Sequence, residues 1–277
     1  DIAACADLGA HLIDVSIPAS DQHLAYKLRQ DRAWLLNELP GTLQRAADLG
    51  MDVCVGCEDA SRADQDFLCQ LAEVAARAGA RRLRFADTLG ILEPFTTWDR
   101  MRTLRAASGL EIEIHAHDDM GLATANTLAA VKGGASHINT TVNGLGERAG
   151  NAPLSSAVAV LHDRLHCLTG IDETKINHVS RMVETYTGIR IPGNRPIVGE
   201  NVFTQCAGIH ADGDNKNNLY FNDLLPERFG RTREYALGKT SGRANIRKNL
   251  ESLGIEMDEE SMRKVTERII ELGDRKS

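Results

Sequence analysis

His115 and His117 stand two positions apart at the end of an alternating stretch, Glu111-Ile-Glu-Ile114, and run into Asp118-Asp119. Alternate side chains of a strand share one face, so both imidazoles would project together, about two rises or roughly 7 Å apart. Such a pair at a strand's C-terminal end can grip one divalent ion. Imidazole nitrogen with oxygen donors suits Mg²⁺, Mn²⁺ or Zn²⁺. The competing reading is two hydrogen-bonded core histidines. Further on, a second strand-like stretch, His137 to Val142, enters the glycine loop Asn143-Gly-Leu-Gly-Glu-Arg-Ala-Gly-Asn151. A histidine pair and a polar glycine loop, both at strand ends, describe the rim of an active site.

Other candidates weigh less by themselves. The Gly144-x-Gly146-x-x-x-Gly150 spacing imitates a dinucleotide fingerprint. Glu147-Arg148 stands where a pyrophosphate would meet bare backbone, however, and no further strand with an acidic ribose partner follows. A shaped turn is the better reading. Cys54-Val-Gly-Cys57 is formally a C-x-x-C, but on a strand its two thiols face opposite ways and no second pair follows. Glu58 reads equally as a solvated loop carboxylate or a site acid, and Thr88 as a site hydroxyl or a helix cap. His210, in a loop dense with Asp and Asn, reads locally as a surface histidine.

The elements that must position these groups alternate. Leu12 to Ile17, Met51 to Cys57, Arg82 to Ala86, Glu111 to Ala116 and His137 to Val142 have strand character. Between them Leu24 to Leu49, Asp64 to Ala78, Thr96 to Ala107 and Leu122 to Val131 carry helical apolar spacing, with Gly50, Gly79 and Gly133-Gly134 at C-cap positions. Strict alternation implies parallel strands, either a doubly wound sheet or a (β/α)₈ barrel. Polar groups recur at the strands' C-terminal ends: Asp14 and Ser16, Glu58-Asp59, Asp87-Thr88, the histidines, and Thr140-Thr141 with Asn143. Convergence from several successive strands favours the TIM barrel. Only five strands are visible, so three N-terminal βα units are expected to be missing. Residues 1–168 are assigned to the barrel and 169–277 to a C-terminal subdomain of helices and loops. Its elements are a helix over Asp172 to Thr187, a polar loop over His210 to Asn222 and a helical region over Ser241 to Glu271.

The 277 residues are 42% hydrophobic and 26% charged, an ordinary globular balance. A net charge of −7 argues against a nucleic-acid partner, and no apolar run approaches a membrane span. Six scattered cysteines point to reduced thiols and a cytoplasmic setting.

Four segments resemble a known family: Phe85-Ala-Asp-Thr-Leu-Gly90, His115-Ala-His-Asp-Asp119, the run Thr140 to Asn151, and Ala207-Gly-Ile-His-Ala211. They are similar to the acetyl-CoA-dependent 2-oxo acid condensing enzymes, metal-dependent TIM barrels related to HMG-CoA lyase. These are the 2-isopropylmalate, homocitrate and citramalate synthases. The resemblance implies that His115 and His117 are metal ligands and that Asn151 contacts the metal directly or through water. It implies that Thr88 binds the 2-oxo acid carboxylate and that Glu58 lies close to the reacting carbons. His210 and Tyr220 match a catalytic pair that the C-terminal subdomain lends to the partner subunit of a homodimer. The implied reaction is a Claisen condensation of acetyl-CoA with a 2-oxo acid. Two departures matter. The family's ligand aspartate, in an Asp-Arg-Asp/Glu motif on the first strand, is absent, so this segment alone is expected to bind metal poorly and be inactive. Glu147-Arg148-Ala149 stands where lyase relatives carry a cysteine, which favours synthase over lyase. The stretch from Cys57 to Asn151 resembles nitrogen-fixation homocitrate synthases more, and Ile197 to Gly242 citramalate and isopropylmalate synthases, so the 2-oxo acid stays open.

Overall fold

A computed structural model describes residues 2–207, 212–213, 216, 219 and 222–275. The chain divides into two compact units, Asp1–Leu168 and Thr169–Ser277.

The first unit alternates α1 (Ile2–Asp7), β1 (Leu12–Pro18), α2 (Arg32–Ala47), β2 (Asp52–Glu58), α3 (Gln65–Arg77), β3 (Arg82–Asp87), α4 (Pro94–Ala107), β4 (Glu111–Ala116), α5 (Ala123–Lys132), β5 (His137–Asn139) and α6 (Leu154–Leu165). All neighbouring strands are parallel, in the order β1-β2-β3-β4-β5. That order decides between the two architectures. A doubly wound sheet reverses direction at a switch point, whereas each strand here adds on the same side of the last, as in a TIM barrel.

Alternation separates two faces. Val53, Val55 and Cys57 of β2, Leu83 and Phe85 of β3, and Ile112 and Ile114 of β4 are buried in one hydrophobic cluster with Leu39, Leu43, Phe67, Leu71 and Leu104 of the helices. The other face carries Asp14, Cys54, Gly56, Arg82, Arg84, Glu113, His115 and Asn139. Registers such as Gly56↔Arg84, Arg84↔Glu113 and His115↔Asn139 set them side by side. Cys54 and Cys57 are free thiols on opposite faces, and burial pushes Cys57 up to about 12, an inert value. Asp14 is not at a strand end. It sits within β1, paired to Arg84 at 2.5 Å, and a side chain on Gly56 would strike both.

Several boundaries differ from the sequence reading. The long helix expected over Leu24 to Leu49 is interrupted at Arg29, which is left-handed (φ 56°), and restarts at Asp31, whose side chain caps Trp34 N–H. β5 ends at Asn139 instead of Val142. Thr141 N–H is claimed by the Ala152 carbonyl, and Asn143 turns left-handed at φ 61°.

In the second unit, a 3₁₀ turn over Glu173–Lys175 leads into α7 (Ile176–Thr187), which Gly188 terminates at φ 70°. Short strands β6 (Thr204–Gln205) and β7 (Glu234–Tyr235) pair in parallel. The expected helical region over Ser241 to Glu271 is two helices, α8 (Arg243–Ser252) and α9 (Glu259–Asp274). Gly254 (φ 68°) breaks the first and Asp258 caps the second. No helix among the described residues is long and apolar enough to cross a membrane.

Candidate active site

The C-terminal ends of β2, β3 and β4 and the loop after β5 bring five of the candidate residues to one rim. His115 and His117 meet edge to face, with ring centroids 4.9 Å apart. The loop after β5 folds back on β4: Asp118 N–H donates to the Gly150 carbonyl at 2.9 Å, and Ala152 N–H donates to the Ala116 carbonyl at 3.1 Å. This pairing sets Asn151 directly opposite His117. Asn151 Nδ2 donates to the Leu145 carbonyl at 2.9 Å. Its Oδ1 is buried without a hydrogen-bond partner.

Glu58 and Thr88 join through backbone. Asp59 N–H donates to Thr88 Oγ1 at 2.8 Å. Asp59 is fully buried in a left-handed turn (φ 58°), where it accepts from Ser20 and from Arg62. The turn presents the half-buried Glu58, whose Oε2 lies 2.6 Å from Lys27 Nζ. Asp87 faces away and caps Ile91 and Leu92 N–H, which shapes the loop that carries Thr88. Arg148 of the glycine loop closes the circuit. It clamps Asp119 at 2.7 and 2.9 Å, donates to the Thr88 carbonyl at 2.8 Å, and reaches His117 Nδ1 at 3.1 Å.

Both histidines are held below the usual imidazole range. Burial is the main cause at His115, followed by His117 and Arg84; at His117 burial leads and Arg148 follows. Each therefore offers a neutral ring with one lone pair. Among the described residues no three His, Cys, Asp or Glu side chains form a metal cluster. The donor set is two imidazoles and one orphaned amide oxygen. That set fits a divalent ion, because a buried acceptor without a donor is satisfied by a cation.

His210 and Tyr220 lie outside the described residues. Sequence reasoning missed Asn139, Lys27 and Arg148. Asn139 was within reach, because His137 and Asn139 alternate on one face and parallel register carries that face onto His115. The glycine loop does not form a dinucleotide turn. Gly150 packs against the Gly144 carbonyl, and β5 is an edge strand of the described sheet.

Comparison with known proteins gives the family. Residues 1–183 match the HMGL-like family, and residues 197–277 match the homocitrate synthase post-HMGL domain-like family. The homocitrate synthase of Frankia alni is 43% identical over 92% of this chain and 72% of its own length. The 2-isopropylmalate synthase 2 of Caldanaerobacter subterraneus is 40% identical over 94% of this chain and 68% of its own. A Methanopyrus kandleri protein named for citramalate synthesis is 38% identical over 99% of this chain, which spans 54% of that protein. In fold, the chain is like the HMG-CoA lyase of Bacillus subtilis, with a TM-score of 0.62, 20% identity and coverage of 71% of this chain and 70% of that one. The chain belongs to the HMGL-like family, among the 2-isopropylmalate, homocitrate and citramalate synthases.

Proposed function

We propose that this chain serves a metal-dependent acyltransferase that condenses acetyl-CoA with a 2-oxo acid. The observation that carries the reading is the meeting, at one rim, of two neutral histidines, an unpartnered buried Asn151 oxygen and the Thr88 hydroxyl. His115, His117 and Asn151 would hold the divalent ion, which when bound supplies Lewis-acid polarisation of the substrate's keto carbonyl.

The chain's own groups do the rest. Thr88 Oγ1 accepts from Asp59 N–H, so its O–H proton is free to donate to the 2-oxo acid's carboxylate. Glu58, held by Lys27, stands one strand away beside the reacting carbons. The His210/Tyr220 region supplies the base that removes a proton from the acetyl methyl group. The resulting carbanion equivalent attacks the keto carbon; the new C–C bond forms as the C=O π pair moves onto oxygen, which takes up a proton to become the product's hydroxyl. Water then cleaves the thioester, releasing CoA as its thiol and leaving a carboxylate. The second unit's contribution to a partner's site implies a homodimer, whose cover keeps water from the enolate.

The test is thiol release from acetyl-CoA with Mg²⁺ or Mn²⁺ and 2-oxoisovalerate, 2-oxoglutarate or pyruvate in parallel. It is run on the chain and on a chimera preceded by the N-terminal βα units of a relative. Release with one acid would name the product as isopropylmalate, homocitrate or citramalate. Silence with all three from a folded, metal-binding chimera would sink the synthase reading and turn attention to the lyase direction.

A further inference from the structure

We propose that Asn139, aimed by Glu113, is a positioning residue that fixes which nitrogen of His115 carries the proton and so presents the Nε2 lone pair to the rim. Asn139 is the register partner of His115 across β4 and β5, and its Oδ1 lies 3.0 Å from His115 Nδ1. That contact alone is ambiguous, because an imidazole nitrogen can donate or accept and an amide can be turned either way. Glu113 removes the ambiguity. Its Oε1 lies 3.4 Å from Asn139 Nδ2, and a carboxylate oxygen accepts from the amide NH₂ but repels the amide oxygen. The oxygen end of Asn139 therefore faces His115. An amide oxygen only accepts, so Nδ1 is the protonated nitrogen and Nε2 keeps the lone pair.

Glu113 is fixed in turn. Arg82 Nη1 donates to its Oε2 at 2.9 Å, and the same guanidinium engages Glu111 at 3.2 Å. The side chains of Arg82 and Glu113 are 15% and 12% exposed, so this outer pair is largely shielded from solvent screening. All four residues, Arg82, Glu113, His115 and Asn139, stand on strands and face the barrel side. A relay built on strands holds its geometry more closely than one built on loops. His117 has a different neighbour: Arg148, only a donor, lies 3.1 Å from its Nδ1, a contact that an ion held by His117 would displace.

The role rests on the metal reading above, so the experiment separates the two. ¹⁵N-histidine spectra of the 277-residue chain report the tautomer of His115, and calorimetry with Mn²⁺ on the chimera described above reports metal affinity. The parent should show His115 protonated at Nδ1. Asn139→Ala should move it toward Nε2–H, the form free imidazole prefers, and weaken Mn²⁺ binding by about 10–100-fold. Asn139→Asp should restore Nδ1–H, because a carboxylate also accepts. Glu113→Gln, which lets the amide turn either way, should give a mixture of both forms. Nε2–H in the parent, or an unmoved tautomer in Asn139→Ala, would overturn the relay. A tautomer that responds as stated, with a folded chimera that binds no Mn²⁺, would uphold the relay and reject the metal reading.

Discussion

A Cβ on Gly150 would lie 2.0 Å from the Gly144 carbonyl oxygen, and the residue's φ is 92°. Neither obstacle can yield, because one is backbone and the other is a conformation that L-residues avoid. Gly150→Ala is therefore expected to cost at least about 1–3 kcal/mol, read as a lowered denaturation midpoint at unchanged slope. Gly146 differs. Its Cβ would meet Asn151 Nδ2 at 2.2 Å, the end of a side chain that can swing aside. Gly146→Ala should fold with a smaller loss of stability while displacing the Asn151 amide from the rim. Mn²⁺ affinity should then fall by about tenfold or more. Equal loss of stability in both variants, or unchanged Mn²⁺ binding by Gly146→Ala, would remove Asn151 from the proposed ligand set.

Elements in the second unit are pinned by single polar groups. Glu184, in the last turn of α7, accepts from Ile191 N–H at 2.8 Å and from Arg181 at 2.9 Å. The Ile191 amide, then Arg181, hold its carboxyl below the ordinary range. A carboxyl lowered in the folded state stabilises fully above its unfolded value and loses that contribution as pH falls through the folded one. Glu184→Ala should therefore lower the melting temperature near pH 7, and the gap to the parent should narrow as pH falls below the ordinary carboxylate range. A gap equally wide at neutral and acid pH would deny the pairing its role. Element identity was readable because it depends on local alternation and caps: Asp64 before α3 and Glu93 before α4 both accept from first-turn amides. What escaped was non-local. The shortening of β5 depends on Thr141 finding Ala152, and the role of Asn139 depends on a register between strands. Arg148 reaches His117 because its own left-handed φ of 53° turns it back across the rim. The histidine pair and the glycine loop were legible for the opposite reason, since each is a contiguous motif whose chemistry is carried by its spacing.

On the scale of the whole molecule, the proposed work divides between binding and proton transfer. His115, His117, Asn151, Thr88 and Glu58 all belong to Asp1–Leu168, and the relay through Asn139, Glu113 and Arg82 lies there too. Every polar contact described for these eight groups is made within that unit, so its metal affinity should not depend on Thr169–Ser277. His210 and Tyr220, the proposed base region, belong to the other unit. A chain of residues 1–168 is therefore expected to bind Mn²⁺ within about threefold of the 277-residue chain, the spread of energetically independent sites. The same truncation in the active chimera should abolish thiol release while leaving 2-oxo acid binding intact, because Thr88 and the metal-holding groups remain. Calorimetry on both lengths, alongside the thiol assay, separates the cases. A collapse of Mn²⁺ affinity on truncation of a chain that still unfolds cooperatively would mean that the second unit reaches the site itself. Retained turnover would mean that the base comes from the barrel, and Glu58, held against Lys27 at the end of β2, would inherit the assignment.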